Sequence, residues 1–205
     1  MSKLSTVQSL VRYGALSGIV SILSYLLIAF FDLPNSLTFL FAMFFPMFGI
    51  MAVFTLKEYI ALQVPSYVNT LSFTFASIAF TICAIFLSAQ LAVQIEVKPQ
   101  ADLANQAVLK LIKESIRVID MGMDVAWDMF IGTYLLLFLI AARRIEALKW
   151  WGMTGGILGT ALMVLNVYTF PIPPADSGLF DLGPFIALFL LALYTRMFFL
   201  KPKAT

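Results

Sequence analysis

Six long apolar runs dominate this chain, at about residues 13–31, 37–56, 70–95, 121–142, 150–170 and 183–200. Crossing a hydrocarbon core of about 30 Å takes roughly 20 residues of α-helix, and each run is close to that length. The runs are continuous instead of alternating apolar with polar, so they read as helices and not as strands of a barrel. A hydrophobic fraction of 61% with only 12% charged residues and a mean hydropathy of +0.96 exclude a soluble globular domain, in which about half the residues are apolar and about a quarter charged. The expected fold is an all-α membrane protein, one polytopic domain over residues 1–205 with six transmembrane helices, and the lipid bilayer is its first partner.

The first run follows Lys3 and Arg12 and is longer than the roughly 7–15 apolar residues of a signal peptide. Phe31-Asp32-Leu33-Pro34-Asn35 comes next, with no small-residue cleavage pattern, so it reads as an uncleaved first span. The chain has a single cysteine, Cys83, inside the third run, and no histidine. That combination rules out an intrachain disulfide, cysteine metal clusters, histidine-ligated haem or zinc, and every Ser–His or Cys–His device.

Charge sets the expected orientation. With six spans, one side receives Lys3, Arg12, Lys57, Arg143, Arg144, Lys149, Arg196, Lys201 and Lys203, nine bases against only Glu58 and Glu146, a net +7. The other receives Lys98, Lys110, Lys113 and Arg117 against the remaining nine acids, a net −5. Basic loops stay inside, which places both termini in the cytoplasm.

The connections carry their own signals. Asp32-Leu33-Pro34-Asn35-Ser36 closes the first hairpin with breaker residues, and Pro46 predicts a kink in the second span. Lys57 to Asn69 is the inner connection. The third span, about 39 Å long at 1.5 Å per residue, must tilt or project outward before Lys98-Pro99 breaks it. Over 102–119, Val108, Leu111, Ile112, Ile116 and Ile119 form an apolar stripe opposite Lys110, Lys113, Glu114 and Arg117, the period of an amphipathic helix. With no breaker before the fourth span except Gly122, one helix over about 102–143 is predicted. The alternative is an interfacial helix bent at Gly122. Trp150, Trp151 and Tyr13 fit an inner aromatic belt, and Met43, Met47 and Met51 make a stripe expected to pack.

An internal echo links Arg12-Tyr13-Gly14-x-x-x-Gly18-Ile19 with Lys149-Trp150-Trp151-Gly152-x-x-x-Gly156-Ile157. Spans one and two would then parallel spans five and six, as in transporters with repeats about the membrane normal. The plainer reading is that anchors followed by small-residue packing faces are generic.

Asp128 is the residue that composition does not explain. It sits about 22 Å above Arg143 on the helix scale, within the apolar run, where an acid costs roughly 2.5–3.5 kcal/mol on insertion scales. Asp120 and Asp124 precede it at helical spacing, so the three share an arc of about 80°. Asp120 and Asp124 sit high enough to be solvated, with Arg117 in reach of Asp120. Asp128 can be hydrogen-bonded to polar groups of neighbouring spans, line a cation-binding cavity open to the outside, or be catalytic. The supporting polar candidates are Gln90, Gln94, Asn166, Tyr168 and Tyr134. Oxygen donors without histidine or cysteine suit Ca²⁺, Mg²⁺, Na⁺ or a proton, not zinc or copper, and no organic cofactor is implied. The aspartate spacing is similar to the metal-binding end of CDP-alcohol phosphotransferases, but their upstream Asp-Gly-x-x-Ala-Arg element is missing. Intramembrane aspartyl proteases need a Gly-x-Gly-Asp setting that is also missing. Asp32 and Asp181 could supply another carboxylate but stand at helix ends, where acids cap. No catalytic residue is assigned.

The segment Asp124-Val125-Ala126-Trp127-Asp128-Met129-Phe130, a basic loop, and Trp151-Gly152 opening a Gly-rich fifth span resembles uncharacterised bacterial six-helix integral membrane proteins. The likeness covers about residues 120–200, and it implies a bacterial plasma-membrane location and no activity. The expectation is a multi-pass protein binding a cation or small cationic solute from outside for sensing or permeation, with Asp128, Asp124 and Asp120 as the cation site. The alternatives are an assembly subunit forming homo- or hetero-oligomers through Gly-rich helix faces, and a lipid-metabolising enzyme. Nucleic acid is not an expected partner.

Overall fold

A computed structural model describes residues 3–100, 106–174 and 176–200. Among these the chain is all-helical: α1 (Lys3–Phe30), α2 (Asn35–Ala61), α3 (Tyr67–Gln100), α4 (Gln106–Ala142), α5 (Lys149–Thr169) and α6 (Gly183–Phe198). Five stretches are long and apolar enough to cross a membrane: Gln8–Phe30, Asn35–Ala61, Tyr67–Ile95, Lys110–Ala142 and Lys149–Thr169. The sixth helix is apolar but starts only at Gly183-Pro184 and has 16 residues. It rises about 24 Å, short of the roughly 30 Å hydrocarbon thickness, so it differs from the other five.

Two connections are tighter than expected. The link between α2 and α3 is five residues long, 62–66, because Lys57 to Ala61 remain helical. Helix α3 continues through Lys98-Pro99 to Gln100, the last described residue before 106, so the expected break does not fall at the proline; proline costs a helix its bond to the carbonyl four residues back without ending it outright. Helix α4 is continuous from 106 across Gly122 to 142, as one long helix requires, and residues 102–105 lie outside the described set.

Each helix packs against its sequence neighbour from α1 to α5, and α6 packs on α1, while α5 and α6 barely touch. The alternation gathers Asp32, Asp176 and Asp181 at one end, hereafter the acidic end, and Lys57, Arg143, Arg144 and Arg196 at the other, the basic end. Helix α2 continues through Pro46, whose missing N–H leaves the Ala42 carbonyl without its helical donor. Ser21 Oγ donates to the neighbouring Phe45 carbonyl, 2.6 Å away, and ties α1 to α2 beside the proline.

Glycine lets two backbones meet where α4 crosses α5. A Cβ on Gly159 would lie 2.6 Å from the Gly132 carbonyl oxygen, and one on Gly132 would lie 2.9 Å from that of Gly159. This is small-residue packing of the kind membrane helices use when no hydrophobic force draws them together. It also decides against the repeat as a packing unit. Gly14 and Gly18 face Thr55 of α2 and Tyr194 of α6, whereas Gly152 and Gly156 both face α4. The first hairpin packs along its length, whereas the fifth and sixth helices meet only locally.

Large buried side chains fill the centre: Phe80, Tyr134, Phe138 and Tyr194, with Ile22, Leu56 and Leu135 between them. Tyr13 and Trp150 point outward near the basic end, as a belt requires, but Trp151 turns in against the Phe189 ring, 6.1 Å away. Met47 and Met51 lie on the outward surface, so the methionine stripe does not pack within the chain.

Candidate functional site

Asp128 is placed by α4 and faces α5. It is 7% exposed, and Asn166, 1% exposed, donates from Nδ2 to its Oδ2 at 2.8 Å. The same amide nitrogen donates to the Leu162 carbonyl at 3.0 Å, one turn back on α5. Gly132, one turn from Asp128, and Gly159, two turns from Asn166, bring α4 and α5 together deeper in the same interface, so a short side chain spans the gap. The Asn166 Oδ1 is buried with no hydrogen-bond partner, and an orphaned buried acceptor of this kind is unusual.

Two further carboxylates act on this pair and a third acts on one of them. Asp124, half-buried one turn above, and Asp181 are both close enough for their charges to act on Asp128. Asp176 and Asp181 act in the same way on Asp124. Asp181 comes from the connection before α6, where its Oδ1 accepts from Gly183 N–H at 2.8 Å. Tyr25 of α1 and Cys83 of α3 lie within electrostatic reach of these acids. Among the described residues the ion pairs are Lys57–Glu58, Arg117–Glu114 and Lys149–Glu146, and none involves these acids. The acidic end therefore holds Asp124, Asp128, Asp176 and Asp181 without a bonded cation.

The three predicted site aspartates do not converge. No group of three acidic, cysteine or histidine side chains with metal-holding geometry occurs among the described residues. The cause is helical: residues eight apart on one helix are separated by about 12 Å along the axis, so Asp120 and Asp128 cannot share one ion. Asp120 is only partly covered, and it lacks the expected partner, because Arg117 turns back to Glu114 (Nη2 to Oε1, 2.7 Å). Long helical side chains lean toward the N-terminus, which favours the residue three before over the one three after.

Of the supporting polar candidates only Asn166 reaches Asp128. Gln94 is exposed and Gln90 half-buried on α3, with no hydrogen bond to the acid, and Tyr168 projects outward. Tyr134 is fully buried but turned toward the basic end, where it lines a small cavity with Lys57, Asn69 and Ser72. Its hydroxyl neighbours that of Tyr194 without forming a well-shaped hydrogen bond. Sequence alone does not pair these tyrosines, and it offers Asp181 as a further carboxylate only at a helix end, where acids cap. The signal for both was present: Tyr194 interrupts an apolar run, and Asp181 stands two residues before the helix-opening Gly183-Pro184.

Compared with protein families, with curated proteins and with solved structures, the chain matches none of them.

Proposed function

We propose that this chain is a multi-pass protein of a bacterial plasma membrane, with both termini in the cytoplasm, that binds a cation or small cationic solute from outside for sensing or permeation. Asp128 is the inner acceptor and Asn166 its neutral oxygen donor. Asp124 and Asp181 stand above them as the attracting charges. The observation that carries this reading is the buried Asp128–Asn166 pair. It retains an unpartnered amide oxygen and sits beneath carboxylates that form no ion pair among the described residues. Mutual repulsion among such groups is relieved by a bound positive charge, and oxygen-only donors select a proton, Na⁺, Mg²⁺, Ca²⁺ or an ammonium group over softer metals. Since the three α4 aspartates cannot meet on one ion, Asp120 serves at most as an outer charge.

Thermal unfolding of the purified protein in a neutral detergent tests the reading. Na⁺, Mg²⁺, Ca²⁺, tetramethylammonium and acid pH are the probes. At least one should raise the midpoint in a saturable way, and Asp128→Asn should abolish that response while remaining folded. No response to any probe, or an undiminished response in Asp128→Asn, refutes it.

An assembly role draws on a different observation. The glycine faces of α5 are consumed inside the chain, whereas Val108, Leu111, Ile112, Val118 and Ile119 of α4 remain exposed. A subunit would use that stripe, and a stoichiometric partner lost on Leu111→Glu would favour it.

A further inference from the structure

Helix α4 outruns the helix it packs on. Its neighbour α5 stops at Thr169, about one turn past Asn166, whereas α4 continues for about six turns from Asp128 to Gln106. On that projection Val108, Leu111, Ser115, Val118 and Gly122 recur at alternating steps of three and four residues, and all five are exposed. A Cβ on Gly122 would meet nothing within 4 Å. We propose that this seam pairs in parallel with the same seam of a second copy of the chain, making a twofold dimer through the outer part of α4.

The spacing is that of the a and d positions of a heptad, by which one helix grips another. Val108 at a with Leu111 at d is the combination that favours two parallel strands. Ser115 and Gly122, small residues at the next a positions, permit close approach. Ile112 and Ile119 flank the seam and are exposed as well. Lipid tails do not cover its upper half. Leu111 stands about 48 Å from Arg143 along the helix axis, past the roughly 40–45 Å of a bilayer with its headgroups. Because α4 is unbroken at Gly122, the projection does not fold down onto the membrane surface. Leu111 is 69% exposed there.

The membrane selects the occupant. Copies inserted in one orientation carry the seam at one height and in parallel, so it is complementary to itself about a twofold axis. Charge does not oppose the match. At about 100° per residue, Lys110, Lys113 and Arg117 fall on the side of Asp124 and Asp128, away from the seam. Glu114, at its edge, is held by Arg117 at 2.7 Å. The inference rests on the multi-pass placement proposed above and is independent of the cation site.

The test keeps the full chain in the membrane. Leu111→Cys and Val118→Cys, oxidised with copper phenanthroline, should each give a disulfide-linked dimer at least about tenfold above Lys113→Cys, which is exposed on the opposite face. The unsubstituted chain should give none, since Cys83 is buried. Light scattering in a neutral detergent should give two copies per particle, and one copy for Leu111→Glu with Val118→Glu at unchanged helix content. One copy, or three or more, in the unsubstituted chain overturns the proposal. Lys113→Cys linking as well as Leu111→Cys overturns it too, as does a different protein bound stoichiometrically in place of the second copy. Absence of a link while Leu179→Cys still reacts with an impermeant maleimide in intact cells rejects the dimer and leaves the membrane placement standing.

Discussion

Replacing Asn166 with leucine perturbs the hydrogen bond that holds the buried acid among the described residues. The change deletes the donor 2.8 Å from Asp128 Oδ2 and leaves that oxygen facing an apolar side chain. Interhelical hydrogen bonds between neutral groups in membrane proteins are worth about 0.6 kcal/mol on average, and a charged acceptor raises a bond to about 1.5–3 kcal/mol. The coupling between the two residues should fall between these limits. A double-mutant cycle isolates it: Asn166→Leu, Asp128→Leu and the pair together, each measured by reversible unfolding in mixed micelles. Asn166→Leu alone should destabilise clearly, because an orphaned carboxyl remains. The double variant should recover much of that loss, because two leucines against α4 and α5 have nothing to satisfy. Strictly additive changes, with a coupling below about 0.5 kcal/mol, would falsify the view that this bond is what keeps the acid inside the protein.

Three other outcomes follow from the same geometry. Gly159→Leu should cost about 1–3 kcal/mol in thermal or denaturant unfolding, because its Cβ meets the Gly132 carbonyl at 2.6 Å, whereas Gly122→Ala, with nothing within 4 Å, should be neutral or gain up to about 1 kcal/mol. Tyr194→Phe should leave unfolding stability nearly unchanged, since the hydroxyl it removes has no well-formed partner; a loss above about 1.5 kcal/mol, the upper limit for a typical hydrogen bond, would mean that it donates to an ordered water or a neighbour. Leu179→Cys, exposed before Asp181, should react with a membrane-impermeant maleimide in intact cells, and Arg144→Cys only after permeabilisation; Cys83 is buried and should stay silent. The reverse pattern would invert the proposed orientation.

The amino-acid sequence by itself determined the helices, because continuous apolar runs, Pro34, Pro46 and the glycines act locally along the chain. It also identified Asp128 as the residue needing explanation and placed Asn166 among its possible partners. Only the tertiary structure chose Asn166 over Gln90, Gln94 and Tyr168, because a hydrogen bond depends on which faces two helices turn toward each other, and periodicity alone does not set that rotation. The close crossing of Gly132 and Gly159 made that choice. The same contact consumed the glycine face that the sequence had left open to a partner. It was likewise packing, through the return of the chain into α6, that brought Asp181 near Asp124 and Asp128 from more than fifty residues away. Separations along the chain carry no such information, so sequence shows three aspartates on one helix and leaves Asp32 and Asp181 as further carboxylates without a place.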